Sequence, residues 1–562
     1  MIHKGAFQSR EGLVGKAIYF IVFVTVVAGL WPHLNRSAFY DEAWVLEAAI
    51  EPEVTQGWAI LLHNSSPAPA GYVTFMHYFS TLVPLEVTAF RVASAMAGGC
   101  VVLLALRLAS GWTRHLVPTL AVVAVLLLMP MFQRYATEVK QYVFEAAITL
   151  GLLLTMRDWV AGPPASRIRA GWIWFLLALL AILCTFAAWF SVAGTGLVAG
   201  LVLIKNREYL QLRRAFTFAF ALALIAVVIH TQFNRHIAGS ATIEGFWHQY
   251  YLPLDLNWPS HAFRSLAGLI ENCWFRYERV SGSIVLLLAI VGLITWIRHD
   301  PVTGFGVLGV LIIPLAAATF KLWPLNLRVN LHMLVLLHLA AVFAPIQFIG
   351  WLMCRYGTRN RRENSRLILR WLGLVPALLL LGVVWRESGS ADYEIASVDK
   401  LLDRTAALAT DDDVVVLMPA ARVNQSMVPR SIAGLIRESG WVTVGTSRKE
   451  LIPLMGLSTR RSVLLAVSHH HGAVIEGFAE LAESLSSRGR LTIIWQDRFV
   501  ALYRFTHHPS DSTSSWDTLE NGVPYHPAVG SPSRNTTPFF GQISDNVHRS
   551  QAGLRAPHTC RP

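Results

Sequence analysis

Apolar stretches of about twenty residues, the length that crosses a bilayer as a helix, recur through the first two-thirds of this 562-residue chain. They cover residues 18–34, 90–108, 116–132, 142–156, 172–187, 188–204, 216–233, 284–297, 302–320, 331–353 and 367–385. That predicts an α-helical polytopic membrane protein with about eleven transmembrane helices. Composition agrees: 54% of residues are hydrophobic and 15% charged, against the ~25% charged that a soluble surface uses. The first stretch follows Lys4, Arg10 and Lys16. It is long for a signal-peptide core and has no small-x-small cleavage site after Trp31-Pro32, so it reads as a retained anchor with a cytoplasmic N-terminus.

The net charge of +12 fits nucleic acid, acidic lipid or membrane topology, and its distribution chooses among them. Lys and Arg gather in alternate loops: Arg107/Arg114, Arg157/Arg167/Arg169, Lys205/Arg207/Arg213/Arg214, Arg298, and the run from Arg355 to Arg370. The long loop 35–89 on the other side has Arg36 alone. This is a cytoplasmic collar under the positive-inside rule, and a nucleic-acid partner is not expected. The alternation holds only if residues 70–84 do not cross. Short, proline-flanked and carrying His77, they are expected to lie at the outer interface. The aromatic segment 242–277, rich in Trp and Tyr, is expected on the same side.

After Trp385 amphipathic stretches alternate with β-branched runs at 414–418, 441–444, 463–467, 491–495 and 500–505, the pattern of a small α/β domain. The expected division is 1–386 membrane domain, 387–506 extracytoplasmic α/β domain, and 507–562 polar tail with the composition of a disordered segment. No glycine-rich phosphate fingerprint accompanies the strands. The run His469-His470-His471 cannot converge on one ion from a strand or helix, and the five cysteines have no zinc or disulfide spacing.

Charges at or near membrane depth need a reason. Three clusters fall on the outer face under this topology: Phe39–Trp44 with Asp41 and Glu42, Gln133–Tyr142 with Glu138 and Lys140, and Lys321–Arg328. Bland alternatives exist for each: an N-cap acid, an interfacial ion pair, snorkelling cations. The shared face is what favours a site.

In these residues the chain resembles the polytopic GT-C glycosyltransferases that use polyprenyl-phosphate sugars, such as protein O-mannosyltransferases and lipid A aminoarabinose transferases. The resemblance spans roughly residues 15–385. It rests on Asp41-Glu42 in the first outer loop, the proline-containing segment His63–Tyr72, Arg91–Gly98 as an R-x-x-S-A-x-x-G element, Glu138–Tyr142 in the second outer loop, and Trp323–Arg328 before a late helix. Lysine at 140, glutamine at 141 and tryptophan at 323 stand where arginine, proline and tyrosine are usual. The resemblance implies an inverting glycosyltransferase of the cytoplasmic membrane, taking a sugar from a lipid-linked donor to a cell-envelope glycan, lipid or protein.

The chemistry is compatible. Such transfer needs a base near the acceptor hydroxyl and cations near the departing phosphate; a phosphate leaves without a second acid to protonate it. Asp41 is the expected base and Glu42 the next candidate. Arg91, Glu138, Lys140, Tyr142, Lys321 and Arg328 are expected around the donor. A divalent metal between Asp41 and Glu138 is conceivable but has no further acid or histidine to support it. A polymerase or ligase using a lipid-diphosphate donor, a transporter or flippase, and a receptor built on the C-terminal domain are the alternatives. Convergence of Asp41, Glu138 and Arg328 would disfavour the last two.

Overall fold

The structure, a computed structural model, describes residues 19–34, 40–63, 68–83, 87–110, 116–234, 247–274 and 281–356, and beyond these chiefly five strands. The chain divides into Met1–Pro509 and Ser510–Pro562, and all described residues belong to the first unit. The predicted span 367–385, His469–His471 and the tail lie outside the described residues.

Ten of the predicted spans fall on helices: α1 (Tyr19–Leu30), α5 (Val87–Ser110), α6 (Leu116–Leu128), α8 (Tyr142–Ala161), α9 (Pro164–Cys184), α10 (Ala188–Lys205), α11 (Tyr209–Ile229), α13 (Gly282–His299), α14 (Pro301–Thr319) and α15 (Leu331–Tyr356). Seven helices among the described residues are long and apolar enough to cross a membrane. Between the spans lie the short helices α2 (Tyr40–Ile50), α3 (Val54–His63), α4 (Ala70–Ser80), α7 (Pro130–Tyr135) and α12 (Trp258–Cys273). Helix α4 is ~16 Å long at 1.5 Å per residue, about half the ~30 Å of bilayer hydrocarbon. It is too short to cross, as the charge alternation requires.

Helix starts follow local chemistry. Pro130, Pro164 and Pro301 open α7, α9 and α14, where a missing N–H costs nothing. Asp300 caps α14, its carboxylate accepting from the Thr303 N–H and hydroxyl. Helix α8 is central, packed by α5, α9, α10, α14 and α15, whereas α11 turns Phe216, Phe220, Leu224 and Val227 outward. Where α10 crosses α14, a Cβ on Gly194 would meet the Gly309 carbonyl carbon at 2.7 Å, so two glycines permit a close backbone approach.

The two ends of the helices differ. At one, Arg107 and Arg157 reach Asp158 at 3.4 and 3.2 Å, and Arg167 grips Glu208 at 2.7 Å. These are residues of the predicted cytoplasmic collar. At the other end the segment 247–274 is stitched to the helix ends: Trp258 Nε1 donates to Thr319 Oγ1 at 2.6 Å, Trp274 Nε1 to His338 Nε2 at 2.8 Å, and the Leu325 N–H to the Tyr250 carbonyl at 2.9 Å.

The C-terminal strands are β1 (Asp413–Leu417), β2 (Val442–Thr443), β3 (Ser462–Ser468), β4 (Gly489–Asp497) and β5 (Val500–His507), one on each predicted run. They form one mixed sheet in the order β2-β1-β3-β5-β4. β1 runs parallel to β2 and β3, while β5 is antiparallel to β3 and β4. Parallel pairs need crossover connections, which agrees with an α/β rather than an all-β module. Leu502 and Phe505 of β5 are fully buried.

Candidate active site

Glu42, the third residue of α2, is fully buried and bonded on both oxygens. Arg91 of α5 donates from Nε to Oε1 at 2.8 Å and from Nη2 to Oε2 at 2.7 Å. The Val139 N–H adds a third bond to Oε1 at 2.8 Å, and Arg91 Nη1 donates to the Leu34 carbonyl at 2.9 Å. One ion pair therefore joins the chain just after α1, the start of α2, α5, and the turn between α7 and α8. A bidentate fork with additional hydrogen bonds is the geometry in which a dry ion pair holds together.

The turn carrying Val139 is the second polar cluster. Arg134 Nε donates to Glu138 Oε1 at 2.7 Å, an i,i+4 pair, and Ser94 of α5 donates to the Glu138 carbonyl at 2.6 Å. Lys140 is buried, its N–H on the same carbonyl at 2.8 Å. Tyr142 packs edge-on against Tyr135 at 5.2 Å. The Arg134 guanidinium lies 6.0 Å from the Tyr135 ring centre. Burial pushes the Tyr135 hydroxyl well above the ordinary tyrosine range, while the nearby charges of Arg134 and Arg328 lower it.

In the third cluster the Arg328 guanidinium lies 5.9 Å from the Trp247 ring centre in the aromatic segment. Asn330 fixes the approach to it, donating to the Pro324 and Asn326 carbonyls at 2.9 and 2.8 Å and accepting from Trp323 Nε1 at 3.2 Å. The Arg328 N–H in turn donates to Asn326 Oδ1 at 3.2 Å. Hydrogen bonds and one chain step thus join the first two clusters, Glu42 bonding the Val139 N–H and its chain neighbour Glu138 bonding Arg134, and the charge of Arg328 acts on Tyr135 beside Arg134. Lys321 is exposed in the turn after α14, with φ +58°. Asp41 is the second residue of α2; its side chain lies outside the described residues.

Arg134, Tyr135 and Glu145 are absent from the residues expected for the site. Arg134 is the partner of Glu138, which lies in the turn beyond the end of α7, so helix periodicity gives no signal for the pair. Glu145, in the first turn of α8, accepts from the Phe186 and Ala187 N–H groups at 3.2 and 3.3 Å, closing the joint between α9 and α10. An acid inside a span was its signal. Among the described residues no group of three His, Cys, Asp or Glu is placed to hold a metal.

Fold and site together define a multi-pass helical membrane protein with a buried acid–base layer at one end of its helices. No family model and no curated protein matches the sequence. Among solved structures the chain is similar to ArnT from Cupriavidus metallidurans in two crystal structures. That bound to undecaprenyl phosphate is 13% identical with a TM-score of 0.46, covering 86% of this chain and 98% of the other. The apo form has the same identity and score, covering 87% and 98%.

Proposed function

We propose that this protein is an inverting glycosyltransferase of the cytoplasmic membrane, moving a sugar from a polyprenyl-phosphate donor to a cell-envelope glycan, lipid or protein on the outer face. The observation that carries this reading is the buried network that joins Glu42 and Arg91 to the turn of Glu138 and Lys140. This supports a site in which Asp41, next to Glu42 at the start of α2, works with the cations Lys140 and Arg328.

In the reaction Asp41 takes the proton of the acceptor hydroxyl. That oxygen forms the new bond to the anomeric carbon as the bond from that carbon to the phosphate oxygen breaks, and the electron pair leaves with the polyprenyl phosphate. Direct displacement inverts the anomeric centre. Arg328, whose fork suits a phosphate, and Lys140 stabilise the charge that develops on the leaving group; Tyr142 and Glu138 border the sugar. Glu42 and Arg91 belong to a structural brace in this reading: each satisfies the other in a dry setting, which fixes the neighbouring Asp41 and the turn at Val139. Arg134 holds Glu138.

Mass spectrometry of lipid-linked and surface glycans from a strain lacking the gene tests the reading. An accumulating polyprenyl-phosphate sugar names the donor, and the glycan, lipid or protein deprived of that sugar names the acceptor. Unchanged lipid-linked pools and surface glycans would contradict it. Arg328→Ala should weaken donor binding by about tenfold or more, the worth of a charged hydrogen bond, as measured by titration of purified protein.

A further inference from the structure

A long apolar groove of about 900 Å³ runs down the flank of the membrane part, between α5, α8 and α9. Ala97 and Leu104 of α5, Gly151 of α8 and Leu177 of α9 form its walls. Each helix contributes at the three- and four-residue spacing of one face. From Phe144 to Asp158 along α8 the groove is ~21 Å long at 1.5 Å per residue, longer than the ~15 Å of one leaflet's hydrocarbon.

Its two ends are unlike. The end near α4 is lined by aromatic rings: Phe75 lies 5.9 Å from Phe144 and 6.0 Å from Phe79, and no charged side chain lines it. The opposite end opens among Arg107, Asp158, Ser166 and Arg169. Asp158 already faces both Arg107, whose side chain is 58% exposed, and Arg157. Arg169 is exposed, and none of the described residues pairs with its guanidinium. The mouth is therefore positive and the interior apolar.

We propose that this groove binds an anionic phospholipid of the cytoplasmic leaflet, with its phosphate on Arg107 and Arg169 and one acyl chain along α8. The charge fits a phosphate headgroup, and the uncharged, aromatic far end fits a chain terminus. A donor lipid with its phosphate among Lys140 and Arg328 would enter from the other face, so this is a separate site. The proposal rests on the collar topology and stands or falls independently of the glycosyltransferase reading.

Native mass spectrometry of the purified full-length protein, titrated with phosphatidylglycerol and with phosphatidylcholine of the same chains, tests it. The wild type should retain phosphatidylglycerol at least tenfold more tightly. Arg107→Gln/Arg169→Gln should abolish that preference at an unchanged melting temperature. Cys100→Trp, which fills the groove from an exposed position on α5 and leaves the charges intact, should reduce retention of phosphatidylglycerol about tenfold. Equal retention of the two lipids by the wild type, a preference that survives the double replacement, or full retention in Cys100→Trp would each overturn the proposal.

Discussion

A carboxylate and a guanidinium with no access to water, Glu42 and Arg91, dominate the energetics at the residue scale. Removing one member of such a pair leaves a bare buried charge and costs about 3–5 kcal/mol, while replacing both by apolar side chains is far milder. Glu42→Gln and Arg91→Met should each lower the melting temperature of the solubilised protein sharply. Glu42→Leu/Arg91→Met should recover much of the loss, and strictly additive losses would contradict the brace. The sequence singled out both residues, yet 49 positions separate them, and charge sign alone names no partner across such a gap. It therefore left Glu42 as a candidate base and Arg91 as a phosphate ligand. The same limit hid the Val139 bond, 97 positions from Glu42. The Arg134–Glu138 pair was hidden for a different reason: Glu138 lies in the turn beyond the end of α7, where helical i,i+4 periodicity does not apply.

At the scale of elements, helix ends explain part of what the charge pattern raised. After α14 the Leu322 N–H bonds the Ala317 carbonyl at 2.8 Å and the Lys321 N–H the Ala318 carbonyl at 3.3 Å, closing the helix with Lys321 in the left-handed conformation that favours glycine. Lys321→Gly should therefore stabilise the protein by ~0.5–1 kcal/mol. A rise in melting temperature with donor affinity unchanged assigns Lys321 to the helix end alone; a stability gain accompanied by weaker donor binding gives its ammonium a part in the site. At the α10–α14 crossing, Gly194→Val has backbone in its way. It should cost roughly 1–3 kcal/mol of overpacking, seen as earlier thermal unfolding; a neutral outcome would mean that the two helices are free to separate. Apolar length and period made these spans legible in advance. Which faces meet depends on small residues whose partners lie more than a hundred positions away, and no local pattern encodes that.

For the whole molecule, the alternation of basic loops and the two unlike ends of the helices describe one topology. Membrane-impermeant maleimide applied to intact cells of a cysteine-free background should label Thr81→Cys and spare Ser166→Cys, both exposed positions in the structure. Inverted vesicles should reverse the pattern. Labelling of both from one side would break the topology. The five C-terminal strands were legible because β-branched runs are short and well separated, but their order and directions were not, since β3 pairs with β5 across the chain's intervening segments. The central claim joins all three scales: this layer transfers sugar from a lipid phosphate with Asp41 as base. Its most direct measurement is single-turnover release of polyprenyl phosphate from a panel of radiolabelled polyprenyl-phosphate sugars by purified wild type and Asp41→Asn, with donor affinity measured alongside. Turnover by the wild type and a loss of about 10²–10⁴-fold in Asp41→Asn at similar donor affinity is the predicted result. An undiminished rate in Asp41→Asn would contradict the account.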